Sequence, residues 1–386
     1  MGHGALDLIR SGSAPLRTQQ RRVRQLARGR GARGSGSRGA LLMRLLATPV
    51  ALLAFIFALR LLVLSASGLA GLLDDLDASG PLNLVGLGWL GSYVVLSGSP
   101  IATTALTLED AGVLSEVEAF AEIIGSRLGA SLIVLIVGFV SYLRGRRLAD
   151  GVYVGVVALI VTLTTYIPVG LLGWFALDQG WFGGVSLGAI GPLATFTEDA
   201  FDPLIEPLRD GLPGLVLFLV GLFVILAALR LFDRVLPSPE STSGRLAQRQ
   251  SWFGGWLQAR WAMFGLGALV TLLTLSVAVS LTLIVPLARQ GLIGRRAVIP
   301  YVLGANITTL ADTLFAASIL ESGAGGTIVF TVAAFATAIA LLILTFLYRP
   351  YVLAVNGAAA WVSQDRRHLG GFLASIVLLP AFLLAL

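Results

Sequence analysis

The sequence contains no cysteine and no lysine, and its only histidines are His3 and His368. The lack of cysteine excludes disulfide bonds and thiolate metal sites, and two histidines are too few for a histidine-based metal centre or a catalytic triad. Charged residues make up only 12% of the 386 positions, whereas a soluble domain has roughly 25%. Because no pair of nucleophile and base is visible, the sequence does not indicate an enzyme, and it calls for no cofactor.

What the sequence has in excess is apolar residues, at 56% of all positions and a mean hydropathy of +0.88. Such a chain is expected to have the lipid bilayer as its solvent. A helix needs about 20 apolar residues to cross the hydrocarbon. Stretches of this kind lie at 44–67, 119–143, 151–176, 212–232, 297–319 and 326–348, and a shorter one at 371–386 leaves its crossing open.

The N-terminal segment 1–40 differs from the rest of the chain, with nine arginines among many glycines and serines. Little in it could build a core, so residues 1–40 are predicted to be a disordered, Arg-rich cytoplasmic arm. The net charge of +6 does not indicate nucleic acid, because the arginines beyond the arm crowd between apolar stretches, where they set membrane orientation.

Two further apolar stretches, 84–108 and 261–288, are interrupted by small and polar residues. If both enter and leave the membrane on one side as re-entrant hairpins, the inner segments carry 23 arginines and the outer loops carry one, Arg209. The positive-inside rule therefore favours two hairpins over two spans, with a cytoplasmic N-terminus. The predicted order is repeat 1 over 41–176, an extracellular acidic loop over 177–211, repeat 2 over 212–348, and a C-terminal segment over 349–386.

The sequence also contains an internal repeat, which appears when the segment 86–130 is aligned without gaps on the segment 265–309. Gly86-Leu87-Gly88 then matches Gly265-Leu266-Gly267, Leu96-Ser97 matches Leu275-Ser276, and Gly125 matches Gly304. Three crossings separate the two hairpins, so the second unit is inserted upside down relative to the first.

The predicted fold is an all-α polytopic membrane protein of two inverted-topology repeats. Each repeat has a re-entrant helical hairpin and about three transmembrane helices, and a C-terminal apolar helix follows. Paired broken segments of this kind are typical of secondary transporters, whose site lies near the bilayer midplane.

Hydroxyl side chains cluster near both predicted hairpin tips. A hydroxyl donates to an anion and its oxygen can ligate a hard cation, although Ser and Thr in membrane helices also bond to their own backbone. The candidates are Ser97, Ser99, Thr103 and Thr104 in the first half, and Ser276, Ser280 and Thr282 in the second.

A second motif follows each hairpin: Gly125-Ser126-Arg127-Leu128-Gly129-Ala130-Ser131, and Gly304-Ala305-Asn306-Ile307-Thr308-Thr309. The latter resembles the GANIGTT signature of the sodium/phosphate cotransporter family, and the hairpin tips resemble degenerate copies of that family's QSSS motif. The resemblance covers roughly 86–143 and 261–319. It implies that phosphate and sodium are held where the hairpin tips meet the two signature helices. By position, Ser97, Gly98 and Ser99 match the first QSSS, Ser276 the second, and Asn306, Thr308 and Thr309 the second signature.

The chain departs from the family pattern at several polar positions. Leu96 and Leu275 replace both glutamines, and Val277 and Ala278 replace two serines. These losses describe a diverged branch, in which the number and identity of the coupling ions stay open.

Among the charged residues within predicted spans, Arg127 and Asp312 are candidates for the site, since an ionisable group inside a membrane indicates function. Arg127 occupies the position equivalent to Asn306; it is predicted either to bind an anion through its guanidinium fork or to pair with Glu122, Glu109 or Asp110. Asp312 is predicted to be a cation ligand or a proton site, or else to pair with Arg127.

Sodium-dependent symport of inorganic phosphate across the plasma membrane by alternating access is the function that these features favour. Three alternatives remain: transport of another small anion, a channel, and a scaffold or regulatory protein that kept the fold and lost coupling. Whether the chain forms a homodimer stays open as well.

Overall fold

The computed structural model describes residues 36–75, 80–136, 148–183, 185, 191–235, 259–281, 284, 293–320 and 322–386. The chain divides into two compact units, Met1–Val50 and Ala51–Leu386. In the first unit, the described residues 36–50 are helical. Apart from positions 36–40, which are helical, the predicted arm lies outside the described residues. The arginines at 144–147 and most of the second hairpin after 281 are also outside them.

Every regular element in the described part of the chain is a helix, as predicted. The helices are α1 (Gly36–Ser65), α2 (Ser67–Asp75), α3 (Pro81–Val95), α4 (Ser99–Asp110), α5 (Glu116–Ala130), α6 (Leu148–Asp178), α7 (Gly191–Gly211), α8 (Gly214–Val235), α9 (Arg260–Thr274), α10 (Arg295–Thr308), α11 (Ala311–Ala317), α12 (Ala324–Leu342), a π-helical segment (Ile343–Leu347), α13 (Tyr348–Gln364) and α14 (Arg366–Leu384).

Seven helical stretches of the described residues are long and apolar enough to cross a membrane, which indicates an integral membrane protein. Six of them coincide with the six long apolar stretches of the sequence, and the seventh is Arg367–Leu384. The C-terminal stretch, whose crossing the sequence left open, is therefore a helix of sufficient length.

The two interrupted stretches contain shorter helices. α3 has 15 residues and α4 has 12, so at 1.5 Å per residue each is about 18–22 Å long, less than the hydrocarbon thickness of about 30 Å. α9, in the second interrupted stretch, also has 15 residues.

Two segments of the chain contain more helix than the sequence analysis predicted. The acidic segment 177–211, predicted as a loop, includes the helix α7. The helix that begins at Ala324 does not end near 348 but continues through the π-helical segment to Gln364.

Glycines let two pairs of helices approach to backbone contact. In the pair α3–α5, a Cβ on Gly88 would overlap the Glu122 carbonyl oxygen, and one on Gly125 would overlap that of Val85. In the pair α9–α10, Gly267 meets the Tyr301 carbonyl oxygen and Gly304 that of Phe264. In the alignment of the repeat, Gly88 corresponds to Gly267 and its contact Glu122 to Tyr301. Likewise, Gly125 corresponds to Gly304 and its contact Val85 to Phe264.

The buried apolar side chains form two large clusters. The pair α3–α5 contributes Leu84, Trp89 and Phe120 to the first cluster, whereas the pair α9–α10 contributes Met263 and Val302 to the second. Single helices pass from one cluster to the other. Along these helices, the polar residues described below lie where residues of one cluster are followed by residues of the other.

Candidate functional site

Both helices that precede the predicted hairpin tips end at a leucine in the left-handed conformation. Leu96 has φ 58° and ψ 29°, and Leu275 has φ 49° and ψ 21°. For a residue with a Cβ this conformation costs about 1–2 kcal/mol, so the surrounding structure must hold both leucines in place. The two breaks fall at equivalent positions of the repeat.

One small cavity brings the two breaks together. Ser97 and Ser99 line it from the first break, and Thr274, Leu275 and Ser276 line it from the second. Its volume of about 20 Å³ accommodates one water molecule or an ion of similar size. Three predicted site residues, Ser97, Ser99 and Ser276, therefore lie around one space.

Gly98, between the two serines of the first break, lies close to α5. A Cβ at this position would meet the Ser126 carbonyl oxygen at 2.7 Å. A larger residue at position 98 would therefore push the segment between α3 and α4 away from α5. In this structure Gly98 allows close packing against α5.

The helices that carry the second motif are themselves interrupted at equivalent positions. α5 ends at Ser131 (φ −76°, ψ −9°), and α10 and α11 are separated at Leu310 (φ −78°, ψ −7°). A break of this kind leaves backbone carbonyls without their helical partners, and inside an apolar bundle such groups need other donors.

Arg127 donates to the second of these breaks. The side chain is 1% exposed. Its Nη1 donates to the Thr309 carbonyl oxygen at 3.4 Å and to the Thr309 hydroxyl at 3.3 Å, and its Nη2 donates to the Thr313 hydroxyl at 3.0 Å. Arg127 thus links the first half of the chain to the second.

The predicted ion pairs of Arg127 are not formed, because no carboxylate oxygen of the described residues lies within 4.0 Å of its guanidinium. Glu109 and Asp110 instead accept hydrogen bonds from Ser322. Glu122 lies five positions before Arg127 on α5, a spacing that does not bring two side chains together on a helix.

Asp312 is reached through a hydroxyl instead of by direct pairing with Arg127. The Thr313 hydroxyl accepts from Arg127 and donates to Asp312 Oδ1 at 3.0 Å, and the Thr313 amide donates to the same oxygen. Ser99 lies next to this carboxyl group. Asp312 is 4% exposed, so a guanidinium and a carboxyl group share one buried network without touching.

Asn306 belongs to a second buried network. Its amide nitrogen donates to the Thr162 hydroxyl at 3.2 Å, and Thr162 is hydrogen-bonded to Ser131 at 2.6 Å. The backbone carbonyl oxygen of Asn306 accepts a hydrogen bond from the Tyr166 hydroxyl at 2.7 Å. Helix α6 thereby joins Ser131, at the end of α5, to Asn306 on α10.

The other predicted hydroxyls fall into three groups. Thr104 and Thr308 bond to backbone carbonyls, Thr104 to Pro100 and Thr308 to Ala268 and Gly304. Ser280 lies 0% exposed in a network with Thr271 and Tyr301. Thr282 is outside the described residues.

Four buried polar atoms near these networks have no hydrogen-bond partner among the described residues. They are Thr103 Oγ1, Glu122 Oε2, Arg127 Nε and Asp312 Oδ2. An unsatisfied buried polar atom costs about 1–3 kcal/mol. Three of the four belong to predicted site residues, so the predicted site retains unused capacity to bind a polar ligand.

Sequence reasoning missed Thr162, Tyr166 and Thr313 in these networks, and also Thr271 and Tyr301 beside Ser280, and Thr274 at the cavity. A signal existed for the first two, because the run Thr162-Leu163-Thr164-Thr165-Tyr166 is rich in hydroxyls within an otherwise apolar span. Thr313 follows Asp312 directly and carries no separate signal.

No family model matches the chain, and no curated protein and no solved structure matches it either.

Proposed function

We propose that the chain is a secondary transporter that moves inorganic phosphate together with sodium across the plasma membrane. Its two inverted repeats would each contain three spans and one re-entrant hairpin, with the N-terminus in the cytoplasm. The observation that carries the proposal is the small cavity lined by both helix breaks, one of whose lining residues, Ser99, lies beside the buried carboxyl group of Asp312. Phosphate is the substrate that the sequence resemblance implies.

The contact pattern supports the inverted arrangement. The two glycine-packed helix pairs have equivalent contacts, yet they belong to different apolar clusters. Two copies of one unit inserted in opposite orientations would place their hairpins on opposite sides of a central polar layer, which is where alternating-access transporters hold substrate. Six long spans and the shorter helices α3, α4 and α9 fit two such units, and α14 is additional.

Charge also favours an anion as substrate. Arg127 is a permanent buried cation, and no acid among the described residues pairs with it directly. Its field lowers the cost of holding an anion nearby, since Coulomb interactions are stronger in a medium of low dielectric constant.

Uptake of radiolabelled phosphate into proteoliposomes tests the proposal. We expect saturable uptake with an inward sodium gradient and none when choline replaces sodium. The Asn306→Ala variant should lose about tenfold or more of the uptake, because it removes the amide that links the Thr162–Ser131 pair to α10. The control is Asn356→Ala, which removes an asparagine that bonds to Tyr153 outside the site.

Three outcomes would replace this proposal by one of its alternatives. Sodium-driven uptake of a different anion would identify another substrate. Flux that neither saturates nor follows the sodium gradient would indicate a channel. No flux of phosphate, sulfate or an organic anion from folded, inserted protein would favour the scaffold.

A further inference from the structure

The atoms that surround the Arg127 guanidinium are an unusual set for an arginine. Its Nη1 and Nη2 contact a backbone carbonyl oxygen and a hydroxyl of Thr309, and the hydroxyl of Thr313. The carboxyl group of Asp312 accepts from that second hydroxyl. All these groups are oxygens, and Thr309, Asp312 and Thr313 are each 5% exposed or less.

This oxygen set is what a hard metal cation uses. Sodium, like calcium, is bound by carbonyl, hydroxyl and carboxylate oxygens. The Thr309 carbonyl lies at the interruption between α10 and α11, and unwound carbonyls of discontinuous membrane helices are common ligands for coupling ions. Asp312 would contribute a negative charge.

The guanidinium, in contrast, fits these oxygens loosely. Two of its three hydrogen bonds are 3.3 Å and 3.4 Å long, and Nε has no partner among the described residues. Charge-assisted bonds between a guanidinium and its preferred carboxylate partner are usually about 2.7–2.9 Å long and bidentate. What Arg127 supplies at this place is therefore mainly its positive charge.

The positive charge of Arg127 has no counterpart at the equivalent position of the other repeat. Arg127 is the equivalent of Asn306, whose neutral amide donates to the Thr162 hydroxyl on α6. The arginine donates instead to oxygens at the break between α10 and α11, so its charged end lies among them.

We propose that Arg127 is a tethered cation, which permanently occupies a sodium-type site formed by the oxygens of Thr309 and Thr313, with the Asp312 carboxyl group one hydroxyl away. The proposal for the site rests on these contacts and not on transport. Its consequence for transport rests on the proposed function: one cation of the coupling set is built into the chain, so fewer free sodium ions accompany each anion than the site's oxygens could hold.

Thermal unfolding of the purified protein without phosphate tests the site independently of transport. Arg127→Asn, which installs the side chain of the equivalent position, should vacate the oxygens. We expect a lower Tm in choline chloride, and a rise of a few degrees in sodium chloride or in millimolar guanidinium chloride that exceeds the wild type's. In Arg127→Asn combined with Asp312→Asn the sodium-specific rise should disappear, because the anionic ligand is gone.

A comparison of Arg127→Lys with Arg127→Met covers the case in which Arg127→Asn does not fold. Lysine is another tethered cation and should retain a higher Tm than methionine, which has similar length and no charge. The proposal is overturned if folded Arg127→Asn gains nothing from sodium or guanidinium beyond the wild type, or if methionine is as stable as lysine at this position. Failure of phosphate uptake alone would leave these results unchanged and would count only against the transport proposal.

Discussion

At the scale of single residues, glycine sets the distance between the paired helices. Gly267 and Gly265 lie two positions apart on α9, but only Gly267 faces α10. A Cβ at Gly267 would overlap the backbone of Tyr301, whereas one at Gly265 meets nothing within 4 Å. The backbone of a packed helix cannot give way as a flexible side chain can, so the two positions should tolerate substitution very differently.

We therefore expect Gly267→Ala to separate α9 from α10 and to lower the stability by about 1–3 kcal/mol, the cost typical of overpacking. Gly265→Ala should be neutral or slightly stabilising, since alanine is the better helix former. The melting temperatures of both variants in detergent check this. Equal Tm values would show that the close approach at Gly267 does not exist.

The site residues differ in how far the sequence predicts them. The repeat and the breaks in apolar sequence mark Ser97 and Ser276, and both line the same cavity. The sequence does not predict the partners of Arg127, because Thr309 and Thr313 are 182 and 186 positions away and only tertiary packing brings them close. Glu122 is not a partner of Arg127 for a different reason, because a spacing of five positions on one helix points the two side chains apart.

At the scale of elements, a bidentate ion pair between Arg60 and Asp202 connects α1 to α7. Arg60 Nε and Nη2 each donate to one oxygen of Asp202 at 2.7 Å, and Glu198 lies 3.9 Å from the same guanidinium. The hydrogen bonds from Arg60 lower the pKa of the Asp202 carboxyl below its usual value.

This pair should make the stability depend on pH. A carboxyl group with a lowered folded-state pKa stabilises the fold above its unfolded-state pKa of about 3.9, and the contribution is lost as the pH falls through the folded-state value. Asp202→Asn should therefore cost roughly 1 kcal/mol near neutral pH, because both side chains are partly exposed, and close to nothing in strong acid.

Melting curves of wild type and Asp202→Asn across this pH range give the measurement. Asp199→Asn, an exposed position on the same helix, is the matched control. A difference that persists undiminished in acid would mean that the ion pair does not contribute.

Among the elements, the sequence predicts the long apolar helices best, because about 20 consecutive apolar residues leave few alternatives in a bilayer. It misses the extension from Tyr348 to Gln364, since Arg349, Pro350 and Asn356 interrupt the apolar run. Pro350 lies in the first turn of α13, where the lack of a backbone N–H costs least, and the π-helical segment before it absorbs the irregularity. The polar sequence of α7 gives no spanning signal, so this helix is missed as well.

At the scale of the whole molecule, the proposed inversion of the two repeats can be tested at equivalent positions. Glu116 begins α5, and its repeat equivalent Arg295 begins α10; both are exposed. In inverted repeats these residues lie on opposite sides of the membrane. Because the chain has no cysteine, single cysteines can be introduced without a background.

We expect a membrane-impermeant maleimide to label Glu116→Cys in intact cells, and Arg295→Cys only after the membrane is made permeable. Both variants should label equally in detergent, which controls for reactivity. Labelling of both from the same side would exclude the inverted arrangement and would leave the repeat as a duplication in one orientation.

The C-terminal helix α14 makes the two glycine-packed pairs unequal. It packs closely on α3 at Gly86, and it is hydrogen-bonded there through Asn83 and Tyr93. The equivalent glycine on α9, Gly265, has no such neighbour among the described residues. Of these two similar helix pairs, only α3–α5 therefore has a third helix at this glycine in the described part of the chain. We expect α9–α10 to be the more easily displaced pair, because fewer contacts among the described residues oppose its movement.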